Sequence, residues 1–191
     1  MARSRTVWVT AALLTATLGA AAVPAVAAPA AAPRAAAACP TGWGSLDKTN
    51  LAGTSGEFVT NARTGRHDCY DRFVIDVPGA TAAELGYSVG YVDEFVQDPS
   101  GHHIPIGGGA ILDIRVSAPG YDLETGTATY PGRPGQPLPG VDLTGYRTFR
   151  DTRYGGSFEG QSQFGLGVRA RLPFRVLQLD GHLVVDVAHS W

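Results

Sequence analysis

The chain has 191 residues, of which 15 are lysine or arginine and 17 are aspartate or glutamate, and 44% of its residues are hydrophobic. This length suits one folded domain with an appendage. A weakly acidic chain is a poor candidate for binding nucleic acid or anionic lipid, because both require a surplus of positive charge.

Residues 1–28 are predicted to form a secretory signal peptide. Arg3 and Arg5 precede an apolar run over residues 7–23, and the small residues at 25–28 suit cleavage by signal peptidase. No stable membrane span is expected after cleavage, because polar residues and a proline interrupt the apolar run and its edge. These residues are Thr10, Thr15, Thr17 and Pro24.

Residues 29–38 are predicted to be an Ala/Pro-rich spacer, too poor in large side chains to pack. The folded domain is therefore expected over residues 39–191, which is long enough for a real hydrophobic core. Removal of Arg3 and Arg5 with the signal peptide leaves 13 basic residues against 17 acidic ones, a net charge of −4.

The two cysteines are predicted to form a Cys39–Cys69 disulfide, the default for two cysteines in an oxidising compartment. This bond would stabilise the fold by roughly 3–4 kcal/mol, because it lowers the conformational entropy of the unfolded chain. A lipid anchor on Cys39 is disfavoured, because Ala36 stands where a lipobox has a branched aliphatic residue. Trp43 follows closely and is expected to pack beside the disulfide.

The domain is predicted to be all-β, because no convincing helical periodicity follows Cys39. Short apolar–polar alternations separated by Gly and Pro are typical of a sandwich or a barrel. Of these, we predict a compact β-sandwich of short antiparallel strands. The predicted strands cover residues 73–77, 87–91, 112–116, 164–168, 174–177 and 183–187, the last two joined by a turn at Asp180-Gly181.

One long Pro/Gly-rich loop is predicted from Ala118 to Gly140. A loop of this length is usually functional or mobile. A tolerated surface insertion is the other interpretation.

No pattern of residues points to catalysis. The segment Gly155–Gly160 misses the G-x-S-x-G serine motif, because Glu159 replaces the final glycine. The adjacent pairs His102-His103 and Asp93-Glu94 would point to opposite faces of a strand, which suits neither a shared metal nor a pair of catalytic carboxylates. We therefore predict no catalytic residue, no metal ligand and no cofactor. An orphan hydrolase of glycan or muropeptide, acting through Glu159 or Asp93, is a third hypothesis.

Two short segments echo each other. Residues 72–77 (RFVIDV) resemble residues 182–187 (HLVVDV), and each places one aspartate among branched apolar residues. Such a position is costly unless the carboxylate faces water or finds a partner. Asp76 and Asp186 are thus expected to occupy similar settings, each receiving backbone N–H groups or an arginine.

Short motifs follow one another in a fixed order along the chain: RTGRHD (63–68), YDRFVID (70–76), YVDE (91–94), FEG (158–160), FGLG (164–167), PFRV (173–176) and LVVDV (183–187). This series resembles the AMIN-like domains of secreted proteins and lipoproteins from actinobacteria. The resemblance covers about residues 58–189 and implies a fold similar to the AMIN module, a small β-sandwich that targets cell-wall amidases and secretins to peptidoglycan. It therefore implies a non-catalytic, extracytoplasmic domain that binds the wall.

Under this resemblance, the polar segment from Arg63 to Arg72 is interpreted as the loop before the first main strand together with the entry to that strand, and as a binding edge. Arginine suits the carboxylates of wall peptides, and aromatic rings suit sugars. The candidate ligand-binding residues are Arg63, Arg66, His67, Tyr70 and Arg72, extended by Tyr91, Arg153, Tyr154 and Arg175 if these lie on the same side.

The alternative interpretation of this segment is structural. Asp68 and Asp71 would make turn hydrogen bonds and surface ion pairs, each contributing under about 1 kcal/mol. Arg72 would pair with Asp76 or Asp186 and satisfy a half-buried carboxylate.

The sequence thus predicts a secreted or wall-associated module that binds peptidoglycan or another wall polymer, with Arg66 and Arg72 as the first residues to mutate. The alternative is a secreted protein-interaction or inhibitory domain, which would contact an envelope protein through residues 118–140.

Overall fold

The computed structural model describes Cys39 and residues 42–191. The predicted signal peptide and spacer lie outside the described residues. The strands of the described part are β1 (Lys48–Asn50), β2 (Asn61–Arg66), β3 (Tyr70–Asp76), β4 (Tyr87–Val92), β5 (Ala110–Val116), β6 (Phe149–Phe158), β7 (Gln161–Val168), β8 (Phe174–Leu179) and β9 (His182–Ala188).

The strands form two antiparallel sheets that enclose one hydrophobic core. The five-stranded sheet has the order β1-β4-β5-β7-β6, and the four-stranded sheet has the order β2-β3-β9-β8. Buried residues of both sheets belong to one cluster, so the predicted all-β sandwich is confirmed. Among the described residues, no helix is long and apolar enough to cross a membrane.

Side-chain alternation explains which face of each strand lies inside. Leu112, Ile114 and Val116 of β5 are fully buried, and so are Phe73 and Ile75 of β3. Each such side chain stabilises the fold by about 1.5–3 kcal/mol relative to an exposed one. The residues between them point to the outer faces of the two sheets.

Three strands were not predicted, and the longest of them shows why. β6 has register shifts between Phe149 and Asp151 and between Tyr154 and Gly156. A β-bulge adds an unpaired residue and shifts the two-residue side-chain period, so the alternation in the sequence of β6 is lost. β1 has only three residues, and β2 has one buried side chain, Ala62.

The polar segment that precedes β3 contains the first strand and the turn of a β-hairpin. β2 ends at Arg66, the turn covers residues 67–69, and β3 begins at Tyr70. The interpretation of this segment as a loop is therefore wrong for residues 63–66, whereas residues 70–72 are the start of β3, as expected for the entry to the first main strand. The reason is that the edge strand β2 exposes most of its side chains, which removes the apolar signal.

Asp71 lies in the interior rather than at the surface. Its Oδ2 accepts hydrogen bonds from the backbone N–H groups of Thr148, at 2.6 Å, and Phe149, at 3.3 Å. Its Oδ1 contacts Nε2 of the buried His189 at 3.1 Å. The expected role of Asp71 in surface ion pairs is thus wrong. The carboxylate instead joins β3 to the start of β6 and to the chain that follows β9.

The connection from β5 to β6 contains the predicted long loop, Ala118–Gly140. Its Tyr130 and Leu138 belong to the core. Gly135 N–H donates to the carbonyl of Tyr154 at 2.8 Å, and Tyr154 N–H donates to the carbonyl of Gln136 at 3.0 Å. The loop therefore covers the outer edge of β6 and completes the core, which a tolerated surface insertion would not do.

Glycines in β7 allow a second layer to pack on the outer face of the five-stranded sheet. A Cβ on Gly167 would stand 1.9 Å from the carbonyl oxygen of Gly107, and a Cβ on Gly165 would stand 2.2 Å from Ile106 Cδ1. The segment after β4 can thus lie flat on the sheet and bury Phe95.

Gly167→Ala is expected to destabilise the domain by about 1–3 kcal/mol, because the clash is with backbone that no rotamer change can relieve. Urea unfolding of oxidised residues 29–191, the chain without the predicted signal peptide, measures this. Gly56→Ala is the matched control, since no atom lies within 4 Å of its added Cβ. Equal unfolding midpoints for the two variants would contradict the packing argument.

Candidate ligand-binding face

A buried carboxylate lies on the outer face of the four-stranded sheet. In the strand register, Arg72 of β3 and Arg175 of β8 both pair with Asp186 of β9. Arg72 Nε donates to Asp186 Oδ1 at 2.6 Å, and its Nη2 donates to Oδ2 at 2.9 Å. Arg175 Nε donates to Oδ2 at 2.8 Å. The Asp186 side chain is 0% exposed, so of the two expected acceptors for Arg72, Asp186 is the one observed.

The geometry makes this carboxylate dependent on both arginines. A buried ionised carboxylate is stable only when it is paired and hydrogen-bonded. The hydrogen bond to Asp186 raises the pKa of the Arg72 guanidinium, although burial opposes this shift. The arginine side chains stay partly exposed, at 26% for Arg72 and 33% for Arg175. The two arginines therefore cover the buried acid while part of each arginine side chain stays exposed to solvent.

Aromatic rings surround the two guanidinium groups. The Arg175 guanidinium carbon lies 4.4 Å from the ring centroid of Trp43 and 5.4 Å from that of Tyr70. Arg72 lies 5.4 Å from the Tyr70 centroid. His67 stacks on Tyr70 at 4.4 Å, and Trp43 meets Tyr70 edge-on at 5.6 Å. Arginine–aromatic contacts of this kind each contribute about 0.5–2 kcal/mol. We call Trp43, His67, Tyr70, Arg72, Arg175 and Asp186 the arginine–aromatic cluster.

The disulfide brings Trp43 to this cluster. Cys39 is bonded to Cys69, as predicted, and Cys69 directly precedes Tyr70 in the turn between β2 and β3. On the other side of Trp43, Phe174 N–H donates to the carbonyl of Gly44 at 2.9 Å. The segment that carries Trp43 is thus fixed on both sides of this residue, by the disulfide at Cys39 and by the hydrogen bond at Gly44. The sequence predicted that Trp43 packs beside the disulfide. It did not predict the contact of Trp43 with Arg175, because the two residues are distant along the chain.

Arg63 lies on the same face of the sheet but belongs to a separate ion pair. Its Nε donates to Asp76 Oδ2 at 3.0 Å, and His182 Nδ1 lies 2.8 Å from Asp76 Oδ1. The expectation that Asp76 and Asp186 occupy similar settings is confirmed to the extent that each receives an arginine. Asp76 is the more exposed of the two.

Arg66 points to the other side of β2, because it is three residues from Arg63. Its Nη1 lies against Gly145, 2.8 Å from the position of an added Cβ. It is therefore not part of the cluster.

The remaining predicted site residues lie elsewhere. Tyr91 packs against the core at the end of β4, where its hydroxyl donates to the carbonyl of Leu172 at 2.8 Å. Arg153 lies on the outer face of the five-stranded sheet, and its Nη1 donates to Asp151 at 2.6 Å. Tyr154 is buried in the core, and burial raises its pKa to about 12. These three do not share a side with Arg72, because two face the core and one belongs to the other sheet.

The residues considered for catalysis are also dispersed. Glu159 lies in the turn between β6 and β7, and Asp93 directly follows β4. Within the part of the chain that the structure describes, no group of three or more His, Cys, Asp or Glu side chains could hold a metal ion.

The AMIN-like domain family matches residues 57–189. The chain belongs to this family. No curated protein and no solved structure matches it. Membership indicates a module associated with the cell envelope, and domains of this family are generally non-catalytic binding modules. An extracytoplasmic location agrees with the disulfide.

One residue of the arginine–aromatic cluster, Trp43, lies outside the region that matches the family. Tyr70, Arg72, Arg175 and Asp186 lie within residues 57–189, whereas Trp43 lies before them. The aromatic cap on Arg175 is thus supplied from outside the matched region, through the disulfide.

Arg72→Ala is expected to destabilise the domain by about 2–3 kcal/mol, because it removes two charge-assisted hydrogen bonds from a buried carboxylate. Arg63→Ala is the matched control, since Arg63 is 53% exposed and its loss should cost under about 1 kcal/mol. Urea unfolding of the two variants gives the comparison. Equal losses would show that Asp186 does not depend on Arg72.

Replacing Cys39 and Cys69 by serine is expected to loosen Trp43 in the cluster, because the chain on the N-terminal side of Trp43 then loses its covalent tie to the β2–β3 turn. In residues 29–191 with Trp191→Phe, Trp43 is the one tryptophan left, and its fluorescence emission should shift to longer wavelength in the serine variant. The circular dichroism of the sheets should stay the same. An unchanged emission maximum would show that the disulfide does not position Trp43.

Proposed function

We propose that this domain binds peptidoglycan, or another wall polymer that carries carboxylates, through the arginine–aromatic cluster. The observation that carries the proposal is the pair of partly exposed guanidinium groups beside Trp43 and Tyr70. Among the described residues, the two terminal nitrogens of Arg175 make no hydrogen bond, since only its Nε donates to Asp186. These N–H groups suit a carboxylate of a wall peptide, because a guanidinium binds carboxylates in a bidentate manner.

Charge supports an anionic ligand on this face. Asp186 balances one of the two arginines that contact it, which leaves one positive charge in excess at the cluster. The mature chain as a whole has a formal charge of −4. A local positive site on an acidic domain favours an acidic ligand at this position over non-specific adsorption to polyanions.

The aromatic rings of Tyr70 and Trp43 would bind the sugar part of the ligand. Aromatic side chains present an apolar face with a polar tip and lose little conformational entropy on binding. Tyr70 and Trp43 lie within 5.6 Å of each other, so a sugar that stacks on them would bring its peptide towards Arg175. Under this proposal the domain is a secreted or wall-associated binding module without a catalytic role.

Sedimentation of the oxidised mature chain (residues 29–191) with insoluble peptidoglycan tests the proposal. We expect saturable binding that weakens with salt. Arg175→Ala should weaken it by about tenfold or more, since a charge-assisted hydrogen bond contributes about 1.5–3 kcal/mol, and Trp43→Ala should also weaken it. Arg153→Ala is the matched control on the other sheet. Arg66→Ala, which the sequence favoured as a test, should now behave like wild type.

Absence of binding by folded, disulfide-bonded protein would contradict the proposal, as would equal weakening by Arg153→Ala and Arg175→Ala. Absence of binding would favour the second candidate function, a protein-interaction domain that uses the Ala118–Gly140 loop, whereas equal weakening would show that the arginine–aromatic cluster is not the binding site.

An exposed apolar side chain at the tip of that loop favours this second function. Leu123 is 57% exposed on a turn where Asp122 Oδ1 accepts the N–H groups of Glu124, at 2.8 Å, and Thr125, at 2.9 Å. Because Tyr130 and Leu138 are buried in the core, shortening the loop would disturb the fold. Leu123→Ser is the appropriate variant for loss of partner binding.

A further inference from the structure

A groove of about 300 Å³ opens on the outer face of the five-stranded sheet, on the opposite side of the sandwich from the arginine–aromatic cluster. The hairpin between β6 and β7 forms one wall, and the Asp98-Pro99 turn forms the other. The side chains on which the argument depends are Asp98, Pro99, Arg115, Phe158, Glu159 and Gln163.

The single arginine of this groove is fully engaged. Arg115 Nε donates to Asp113 Oδ2 at 3.1 Å, and its Nη1 pairs with Asp98. Gln163 Nε2 donates to Asp113 Oδ2 at 3.2 Å and to the carbonyl of Val96 at 3.0 Å. Burial raises the pKa of Asp113, and the charge of Arg115 opposes that rise. The floor is thus a fixed ion network whose one cation has no free charge for an anionic ligand.

The walls combine exposed carboxylates with an apolar surface. Phe158 is 42% exposed, and Pro99 also lines the groove. The Glu159 carboxylate makes no hydrogen bond within the described residues, and the Asp98 side chain is half exposed. The one positive charge of Arg115 is set against the carboxylates of Asp98, Asp113 and Glu159, which gives the groove a surplus of negative charge.

Glu159 lies in the two-residue turn of the β6–β7 hairpin and has a φ of 48°. Glycine adopts such a φ with less strain than glutamate. Replacing Glu159 by glycine therefore removes the carboxylate without straining the turn.

We propose that this groove binds a primary ammonium group on an alkyl chain, such as the side chain of lysine or of another diamino acid. The alkyl chain would lie on Phe158 and Pro99, and the ammonium would sit between Asp98 and Glu159, where a cation also gains from the Phe158 ring. This site is independent of the proposed wall binding, because it uses different residues on the other sheet.

The test is a titration of the ¹⁵N-labelled mature chain, followed by NMR, with Nα-acetyl-lysine N-methylamide. The neutral comparison is Nα-acetyl-norleucine N-methylamide, which has the same alkyl chain without the ammonium. We expect saturable shifts of the amides of Phe158, Glu159 and Gln163 with the lysine compound alone. The affinity should be on the order of millimolar, since few exposed charges contribute.

Glu159→Gln should weaken this binding by about fivefold, and Glu159→Gly should weaken it equally while relieving the turn, which separates loss of charge from misfolding. Glu57→Gln is the matched control and should bind like wild type. Equal shifts with the norleucine compound, shifts that map to other residues, or unchanged affinity in both Glu159 variants would each overturn the proposal.

Discussion

The buried carboxylate of Asp186 is the constraint around which the proposed binding face is organised. A fully buried charge on the outer side of a sheet is stable only because Arg72 and Arg175 reach it from the two neighbouring strands. The same contacts hold the arginines in fixed positions, with part of each guanidinium exposed. Tyr70 and Trp43 then pack on the fixed guanidinium groups. One ion network thus stabilises the sheet and presents donors and rings in a set geometry, which limits the entropy lost on binding.

The disulfide extends this network beyond the region that defines the family. Residues 57–189 supply the sheet, the two arginines and the acid, whereas the segment from Cys39 carries Trp43 onto them. In an oxidising compartment this cross-link is stable. The face therefore combines an arginine pair built into the family fold with an aromatic cap that depends on one covalent bond. The opposite sheet is organised differently, since Arg115 is balanced by acids and the groove above it is negative.

The sequence predicted what depends on local pattern and missed what depends on register. Strands with strict alternation, such as β5, were predicted, whereas β6 was not, because two bulges remove its period. The disulfide followed from the cysteine count. The partner of Arg72 was left open between Asp76 and Asp186, because the choice depends on how β3 pairs with β9, over a separation of 114 residues. For the same reason Arg175 joined the cluster while Arg153, also proposed from its chemistry, lies on the other sheet.

The most direct test of the central claim is an NMR titration of the mature chain with soluble peptidoglycan fragments that carry both sugar and peptide. The Nε–H signals of the arginines and the indole N–H of Trp43 are observed together. The account predicts saturable shifts for Arg175 and Trp43, smaller shifts for Arg72, and none for Arg153. Binding that shifts Arg153 or the Ala118–Gly140 amides, and leaves Arg175 and Trp43 unchanged, would contradict it.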